Sequence, residues 1–109
     1  MMKDKSEKQI QKLILDWLRW NKVFCWKSNN VGIYRKDTNH YIPVGLKGVA
    51  DILGIINGGV FLAIEVKSGK GKVSPYQREF LQNITDNGGV SFVARCLEDV
   101  KLSLKDYLI

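Results

Sequence analysis

The stretch from Ile52 to Ile64 contains no charged residue and is interrupted by Asn57-Gly58-Gly59. An Asn-Gly pair between apolar, β-branched runs is a strong signal for a β-hairpin. It predicts two antiparallel strands, Val49 to Ile56 and Val60 to Lys67. The second strand is almost wholly apolar until its end, which is typical of a central strand rather than an edge strand. We therefore expect the hairpin to lie at the centre of a sheet.

A first helix is predicted before this hairpin. Ser6 and Gln9 have the spacing of a capping box, in which the serine precedes the first turn. Apolar residues then recur at helical spacing and form one stripe, and the helix should end near Trp20 or Asn21. The stripe consists of Ile10, Leu13, Ile14, Trp17 and Leu18.

A second helix is predicted after the hairpin, again from a capping box. Ser74 and Gln77 have the required spacing, and Pro75 stands at the first helical position, where proline is favoured. Gly88-Gly89 should end this helix.

The remaining segments complete the order of elements. Val23 to Ser28 and Val90 to Arg95 have the composition of strands, and Glu98 to Leu108 should form a last helix with Tyr107 facing inward. The polar stretch from Asn29 to Gly48 is expected to be a long loop that includes His40. The order α-β-β-β-α-β-α predicts an α/β protein, with residues 1–109 as one domain.

Composition narrows the class of partner and the compartment. Lysine and arginine number 17 against 11 aspartate and glutamate, a net charge of +6, which favours a polyanion such as nucleic acid over a merely basic surface. Cys25 and Cys96 form no zinc or disulfide motif, and we expect both to be buried thiols. The first residues contain no apolar signal segment and no run is long enough to span a bilayer, so a cytoplasmic protein is expected.

Charged residues appear where the second strand ends. Glu65 and Lys67 are two residues apart, so they share one face and lie ~6.6 Å apart along the strand. The face of Asp51, on the partner strand, depends on the turn. A two-residue turn at the glycines would place Asp51 on the opposite face from Glu65. A three-residue turn that includes Asn57 would place the two carboxylates directly opposite each other.

The three-residue register would create a site for a cation. Two carboxylates directly opposite each other repel, and a divalent cation with hard oxygen ligands, Mg²⁺ or Mn²⁺, would relieve that repulsion. Such an ion beside Lys67 is suited to phosphodiester hydrolysis. The pattern alone is weak, because Glu65 and Lys67 could also be a surface ion pair at a strand end.

Two further polar residues are candidates for the same site. Glu7 lies at the edge of the apolar stripe of the first helix and should point toward the sheet. A solvated partner of the helix dipole is an equally good interpretation of its position. Gln77 completes a capping box, yet it shares the helix face of Phe80 and Leu81 and can also face inward.

Several basic residues are candidates for phosphate contacts. Lys70 and Lys72 belong to a glycine-spaced loop that follows Lys67, and flexible lysines of this kind suit phosphate oxygens. The alternative is a solvated turn. The polar stretch before the hairpin adds Arg35, Lys36 and Lys47.

Three motifs occur in a fixed order: Gly48-Val49-Ala50-Asp51-Ile52, then Phe61 to Lys67, then Ser74-Pro75-Tyr76-Gln77 followed by Phe80. Together they resemble the VRR-NUC family, the virus-type replication-repair nucleases of the PD-(D/E)xK superfamily. The resemblance spans Glu7 to Arg95. Ala50 stands where the superfamily name expects proline, at a position that binds no metal.

The resemblance implies a restriction-endonuclease-like α/β core, with a mixed central sheet flanked by helices. It implies a metal, Mg²⁺ or Mn²⁺, bound by Asp51, Glu65 and the backbone carbonyl of Val66. Glu7 would help to hold the metal or its water. Lys67 would position or activate the water and steady the scissile phosphate, and Gln77 would lie beside the site.

The resemblance also implies a DNA-repair role: a structure-specific DNA endonuclease of phage or bacterial origin, with relatives that resolve four-way (Holliday) junctions. A homodimer is expected as well, because cutting two strands of a symmetric junction requires two sites. Two alternatives stay open. One is a nuclease-like fold that binds DNA without cutting it, and the other is a nuclease that acts on RNA.

Overall fold

The computed structural model describes residues 5–28, 33–35, 40–42 and 46–108, with only the backbone described for 33–35 and 40–42. Lys36 lies outside these ranges. The elements follow one another along the chain as α1 (Glu7–Trp20), β1 (Phe24–Lys27), β2 (Ile33–Arg35), β3 (His40–Ile42), β4 (Ile52–Ile56), β5 (Val60–Val66), α2 (Pro75–Asp86), β6 (Val90–Ala94) and α3 (Leu97–Leu104).

The main sheet has four strands in the order β1-β4-β5-β6. The β1–β4 and β4–β5 pairs are antiparallel, and the β5–β6 pair is parallel. The predicted mixed sheet and the predicted order of helices and sheet strands are therefore confirmed. β5 is a central strand, as its apolar sequence indicates.

The expectation of one long loop from Asn29 to Gly48 is wrong. β2 and β3 form an antiparallel pair within this stretch, and His40 is a strand residue opposite Arg35. Ile33-Tyr34 and Tyr41-Ile42 are β-branched and aromatic, which favours strands. Their signal is short and is surrounded by glycine, asparagine and charged residues, which are typical of loops.

Helix α1 covers one face of the sheet through the predicted apolar stripe. Ile14 and Leu18 are fully buried in a core that also contains Leu62, Ile64 and Val66 of β5. Each such side chain contributes about 1.5–3 kcal/mol by burial. Leu13 is an exception, since it is 40% exposed. The buried face extends to Leu15 instead, because the sheet contacts the side of the helix that Leu15 and Leu18 share.

Helix α3 packs on the same core through Val100 and Leu104, but its predicted bounds and the inward Tyr107 are wrong. The helix starts one residue earlier and ends at Leu104, and Tyr107 is 40% exposed.

The expectation for Cys96 is also wrong, because this thiol is exposed at the sheet edge where β6 ends, whereas Cys25 is buried.

Helix α2 lies on the opposite face of the sheet. Side chains alternate along a strand, so Ala63 and Glu65 point away from the core that receives Leu62 and Ile64. Glu65 accordingly contacts Gln77 of α2. The start of α2 is thereby held at the end of β5.

The turn between β4 and β5 decides between the two registers left open by the sequence. Asn57–Gly59 forms a three-residue connection, and Ile56 pairs with Val60. Gly58 and Gly59 have φ angles of +82° and +77°. This is the three-residue turn, and because Ile52 pairs with Ile64, Asp51 lies opposite Glu65.

Gly48 allows the chain to pass closely over the start of α2 before it enters β4. Its φ is +75°, and a Cβ atom at this position would lie 2.3 Å from the backbone carbon and oxygen of Tyr76. Only glycine permits both the left-handed backbone and this approach. Asp51 and Gln77 are brought to the same edge of the sheet as a result.

We predict that Gly48→Ala destabilises the protein far more than Gly58→Ala. Both glycines have a left-handed backbone, so both substitutions cost about 1–2 kcal/mol for that reason. Gly58 has no atom within 4 Å of an added Cβ, whereas Gly48 has backbone neighbours there. Overpacking adds about 1–3 kcal/mol for Gly48→Ala. Urea unfolding measures the difference, and equal free energies of unfolding for the two variants would contradict the close approach.

Candidate active site

Four elements meet at the edge of the sheet where β5 ends. Asp51 directly precedes β4, Glu65 and Lys67 lie at the end of β5, and α1 and α2 both begin nearby. Antiparallel pairing of β4 with β5 brings the beginning of one strand beside the end of the other. The acidic and basic candidates therefore meet in one place.

Asp51 is held by the backbone on both sides. Its Oδ2 accepts a hydrogen bond from the Val66 N–H at 2.8 Å, and its carbonyl oxygen accepts one from the Ser28 N–H at 2.7 Å. The first bond ties the carboxylate to β5 and the second ties the backbone to the end of β1. The carboxylate therefore has a defined position without help from a cation.

Glu65 is a buried carboxylate with one satisfied oxygen. It is 2% exposed, and its Oε1 accepts a hydrogen bond from Gln77 Nε2 at 3.1 Å. Lys67 Nζ lies 3.9 Å from the same oxygen. The other oxygen, Oε2, is buried and has no hydrogen-bond partner among the described residues. A buried charged oxygen of this kind is costly unless it binds a proton or a cation.

The surroundings of Glu65 favour its protonated form. Burial is the largest cause that raises the pKa of Glu65 to about 8, followed by the negative charge of the neighbouring Asp51. Lys67 lowers this pKa in part, and Glu7 raises it further. The single ammonium of Lys67 is therefore not enough to neutralise the carboxylates that meet here.

Gln77 combines the two roles that its sequence position suggests. Its Oε1 accepts a hydrogen bond from the Ser74 N–H at 2.8 Å, which completes the capping box of α2. Its Nε2 donates to Glu65. The residue that begins the helix thus also fixes the orientation of the buried carboxylate.

Glu7 lies at the rim of the site. It is half-buried in the first turn of α1, and its charge affects the pKa of Glu65. No cluster of three acidic, histidine or cysteine side chains is close enough to hold a metal in the part of the chain that the structure describes. Asp51 and Glu65 are thus the acidic pair at the centre. The metal-ligand roles of Glu7 and of the Val66 carbonyl stay predictions.

The chemistry of this pair suits a divalent cation. Two opposed carboxylates, one with a buried oxygen that lacks a partner, provide hard oxygen ligands of the kind that Mg²⁺ and Mn²⁺ prefer. Lys67, whose side chain is 14% exposed, borders the pair without neutralising it. The residues present therefore fit the metal that the resemblance implies.

Three of the basic candidates for phosphate contacts are exposed near this edge of the sheet. Lys70 and Lys72 are exposed on the loop after β5, and Lys47 is exposed on the other side, with Nζ 5.0 Å from the ring centre of Tyr76. Only the backbone of Arg35 is described. Sequence reasoning missed Arg95, whose Nη1 donates to the Gly69 carbonyl at 3.0 Å and anchors the loop that carries Lys70. Its position at the end of β6 could have indicated this role, because β6 runs parallel to β5 and the two strands end at the same edge of the sheet.

The fold and this site define an α/β class of protein with a mixed four-stranded sheet, flanking helices and an acidic pair at one sheet edge. The family model of the VRR-NUC domain matches residues 5–97, and the chain therefore belongs to the VRR-NUC domain family. A solved structure named "VRR_NUC domain protein" has the same fold, with a TM-score of 0.68 and 20% sequence identity over 96% of this chain and 89% of that chain. A comparison with curated proteins gave no match.

Family membership makes this chain a nuclease-type, DNA-processing domain, and the family is generally dependent on divalent metal. Within the described ranges, no helix has both the length and the apolar character needed to cross a membrane.

We predict that the metal-free protein loses stability relative to Glu65→Gln as the pH rises from about 5 to about 8. The folded state keeps the Glu65 proton up to about pH 8, whereas the unfolded chain releases it near 4.5, so folding takes up a proton in this window. Glutamine keeps the acceptor for Gln77 and removes the charge. Urea unfolding in EDTA at several pH values measures the difference, and parallel pH profiles of the two proteins would contradict it.

We also predict opposite outcomes for one substitution in the two capping boxes. Gln9 and Gln77 occupy the same capping position, with Oε1 2.8 Å from the N–H of Ser6 and Ser74 respectively. Gln9→Glu should change stability by no more than about 0.5 kcal/mol, because glutamate also completes a capping box on an exposed turn. Gln77→Glu should cost about 1–3 kcal/mol at pH 9, since it replaces the donor to Glu65 with a like charge. Equal unfolding free energies for the two variants would refute the dual role of Gln77.

Proposed function

We propose that this protein is a divalent-metal-dependent DNA endonuclease of the PD-(D/E)xK type that hydrolyses phosphodiester bonds. The observation that carries the proposal is the buried Glu65, whose Oε2 lacks a partner among the described residues while Asp51 lies opposite it. If Glu65 and Lys67 formed only a surface ion pair, the Glu65 side chain would be exposed to solvent, whereas it is 2% exposed. This arrangement of two opposed carboxylates supports a cation-binding site.

Mg²⁺ or Mn²⁺ would be held by Asp51 and Glu65, with the Val66 carbonyl as a further ligand and Glu7 acting on the metal or its water. Such an ion supplies stabilisation of the charge that develops on the phosphate and lowers the pKa of an attacking water. Asp51 is already oriented by the Val66 N–H, and Glu65 by Gln77. Both acids therefore need little rearrangement on binding.

Lys67 is the cation that this chain itself supplies at the site. Its ammonium lies on the same strand face as Glu65, beside the acidic pair. In this position it can orient a water or donate to a non-bridging oxygen of the scissile phosphate. Lys47, Lys70 and Lys72 extend the positive charge along both sides of the same edge, where flanking phosphates would lie.

We further propose that the substrate is branched DNA, with a four-way junction as the leading candidate, and that the active form is a cytoplasmic homodimer. Each chain supplies one acidic pair, and two cuts in a symmetric junction require two such sites. A silent DNA-binding module is less well supported, because Asp51, Glu65 and Lys67 are all present and lie together.

The deciding experiment is cleavage of a labelled four-way DNA junction in Mg²⁺, Mn²⁺ or EDTA, beside a linear duplex and an RNA strand of the same sequence. We expect metal-dependent cutting of the junction, and Glu65→Gln should slow it by about a thousandfold or more, because about 4 kcal/mol of metal-derived stabilisation is lost. Asp106→Ala removes an exposed carboxylate and should cut normally.

Each outcome of this experiment has a definite meaning. Paired, symmetric cuts in the junction support a dimeric resolving enzyme, and cutting confined to RNA would overturn the DNA assignment. Junction binding without cutting in every metal would support the silent module. Full activity of Glu65→Gln would remove Glu65 from the site.

A further inference from the structure

A groove of about 670 Å³ runs along the solvent side of α1, next to the end of β1. Four of its lining residues are cationic, against one carboxylate, that of Asp16, which pairs with Lys12 at 2.7 Å. None of the other three cations forms an ion pair with a residue in the described ranges. The four cationic residues are Lys8, Lys12, Arg19 and Lys27. None of them belongs to the site or to the basic loops already discussed.

The helical cations form a row. Lys8, Lys12 and Arg19 lie at positions i, i+4 and i+11, with Leu15 at i+7, so they share one side of α1. At 1.5 Å per residue the row is ~16 Å long. The phosphates of one DNA strand advance 3.4 Å per nucleotide along the duplex axis, so the row matches about five nucleotides.

The far end of this row is placed beside β1 by Arg19. Arg19 and Lys27 line the same groove, which places the end of α1 beside β1. Consistently, burial raises the pKa of the Cys25 thiol on β1, and the positive charge of Arg19 partly offsets this. Lys27, two residues further along the same strand, forms the opposite wall of the groove.

The near end of the groove is lined by Ser6 and Lys27, which are neighbours of residues at the acidic site. Ser6, at this end, precedes Glu7, whose charge reaches Glu65. On the opposite wall, Lys27 pairs with Ile52, and the next residue, Ser28, donates its N–H to the Asp51 carbonyl. A chain that lies in the groove would therefore leave the cationic row near the edge of the sheet that carries the acidic pair.

Leu15 lines the groove at 8% exposure, and the lysine stems add further apolar surface. A fully solvated helix face would present charges without such a concave, partly apolar surface. A sugar-phosphate backbone has both characters, with apolar sugar edges between charged phosphates. The shape, the charge and the position of the groove all match this ligand.

We propose that the groove along α1 binds the sugar-phosphate backbone of one nucleic-acid strand on one side of the bond that is cut. This proposal rests on the proposed function, since it takes DNA as the substrate. It adds a binding surface made by Lys8, Arg19 and Lys27, with Lys12 contributing once its pair with Asp16 opens. Contacts of this kind position the strand and carry no sequence information.

The test compares two double variants that remove the same charge. Lys8→Gln with Lys27→Gln removes two exposed cations of the groove, and Lys22→Gln with Lys105→Gln removes two exposed cations that line neither the groove nor the acidic site. Lys22 lies beside the β4–β5 turn, and Lys105 lies near Tyr107, whose carbonyl accepts from Asn57 of that turn. Thermal unfolding of all proteins should agree, because every substituted side chain is exposed.

Binding of a labelled linear DNA duplex is measured in Mg²⁺ from 0.05 to about 0.5 M salt, with Glu65→Gln present in every protein to prevent cutting. Two lost phosphate contacts should reduce the slope of log Kd against log salt by about 1.8. If the curves converge near 1 M salt, this corresponds to a Kd about sixtyfold higher at 0.1 M salt for the groove variant. The control variant should keep the slope and the Kd of the parent.

Equal Kd values and slopes for the groove and control variants would refute the proposal that the groove binds the strand. A parent protein that binds no duplex would refute it as well. Cleavage of the junction by the protein with an intact Glu65 is measured separately. Normal cleavage without groove-dependent binding refutes the groove alone. Groove-dependent binding without any cleavage supports the groove and refutes the catalytic proposal.

Discussion

Two carboxylates face each other across neighbouring antiparallel strands, and the other contacts at this edge of the sheet are arranged around that repulsion. The register that pairs Ile52 with Ile64 brings Asp51 opposite Glu65. The Val66 N–H fixes one acid and the Gln77 amide fixes the other. These donors, together with the Lys67 ammonium, leave Glu65 Oε2 without a partner in the described part of the chain. The fold thus tolerates an electrostatic cost that a bound divalent cation would remove.

This cost is confined to the edge of the sheet because the rest of β5 is apolar. Leu62, Ile64 and Val66 are fully buried against α1 and α3 and supply the burial that offsets the strained pair. A glutamate in the middle of such a strand would lose this support on both sides. Placing it at the end of β5 lets Gln77 and Lys67 reach it while the apolar core stays intact.

Much of this arrangement follows from local signals in the sequence. Ser6, Ser74 and their glutamines mark both helix starts, and the capping geometry occurs in full in the structure. The Asn57-Gly58-Gly59 turn limits Asp51 to two positions. The choice between them depends on the backbone of both glycines, which adopt positive φ angles that either register could have used. The sequence therefore predicts the members of the site, while the turn geometry decides that they meet.

The features that the sequence did not reveal depend on distant contacts or on weak local signals. β2 and β3 are three residues each, too short for alternation to stand out from the polar residues around them. Leu13 fits the apolar stripe of α1 by spacing, yet the position of the sheet determines that Leu15 is buried in its place. Arg95 reaches Gly69 only because β6 lies parallel to β5, a pairing that no local pattern encodes.

Helix α1 contributes both to the hydrophobic core and to the surroundings of the acidic pair. Its buried side fixes the helix to the sheet through Ile14 and Leu18, and its first turn places Glu7 at the rim of the acidic pair. Its solvent side carries the cationic row toward that same rim. Because one rigid element bears all three features, the distance between the cationic row and the acidic pair is set by core packing. A strand held by the row would then enter the site at a position that core packing fixes.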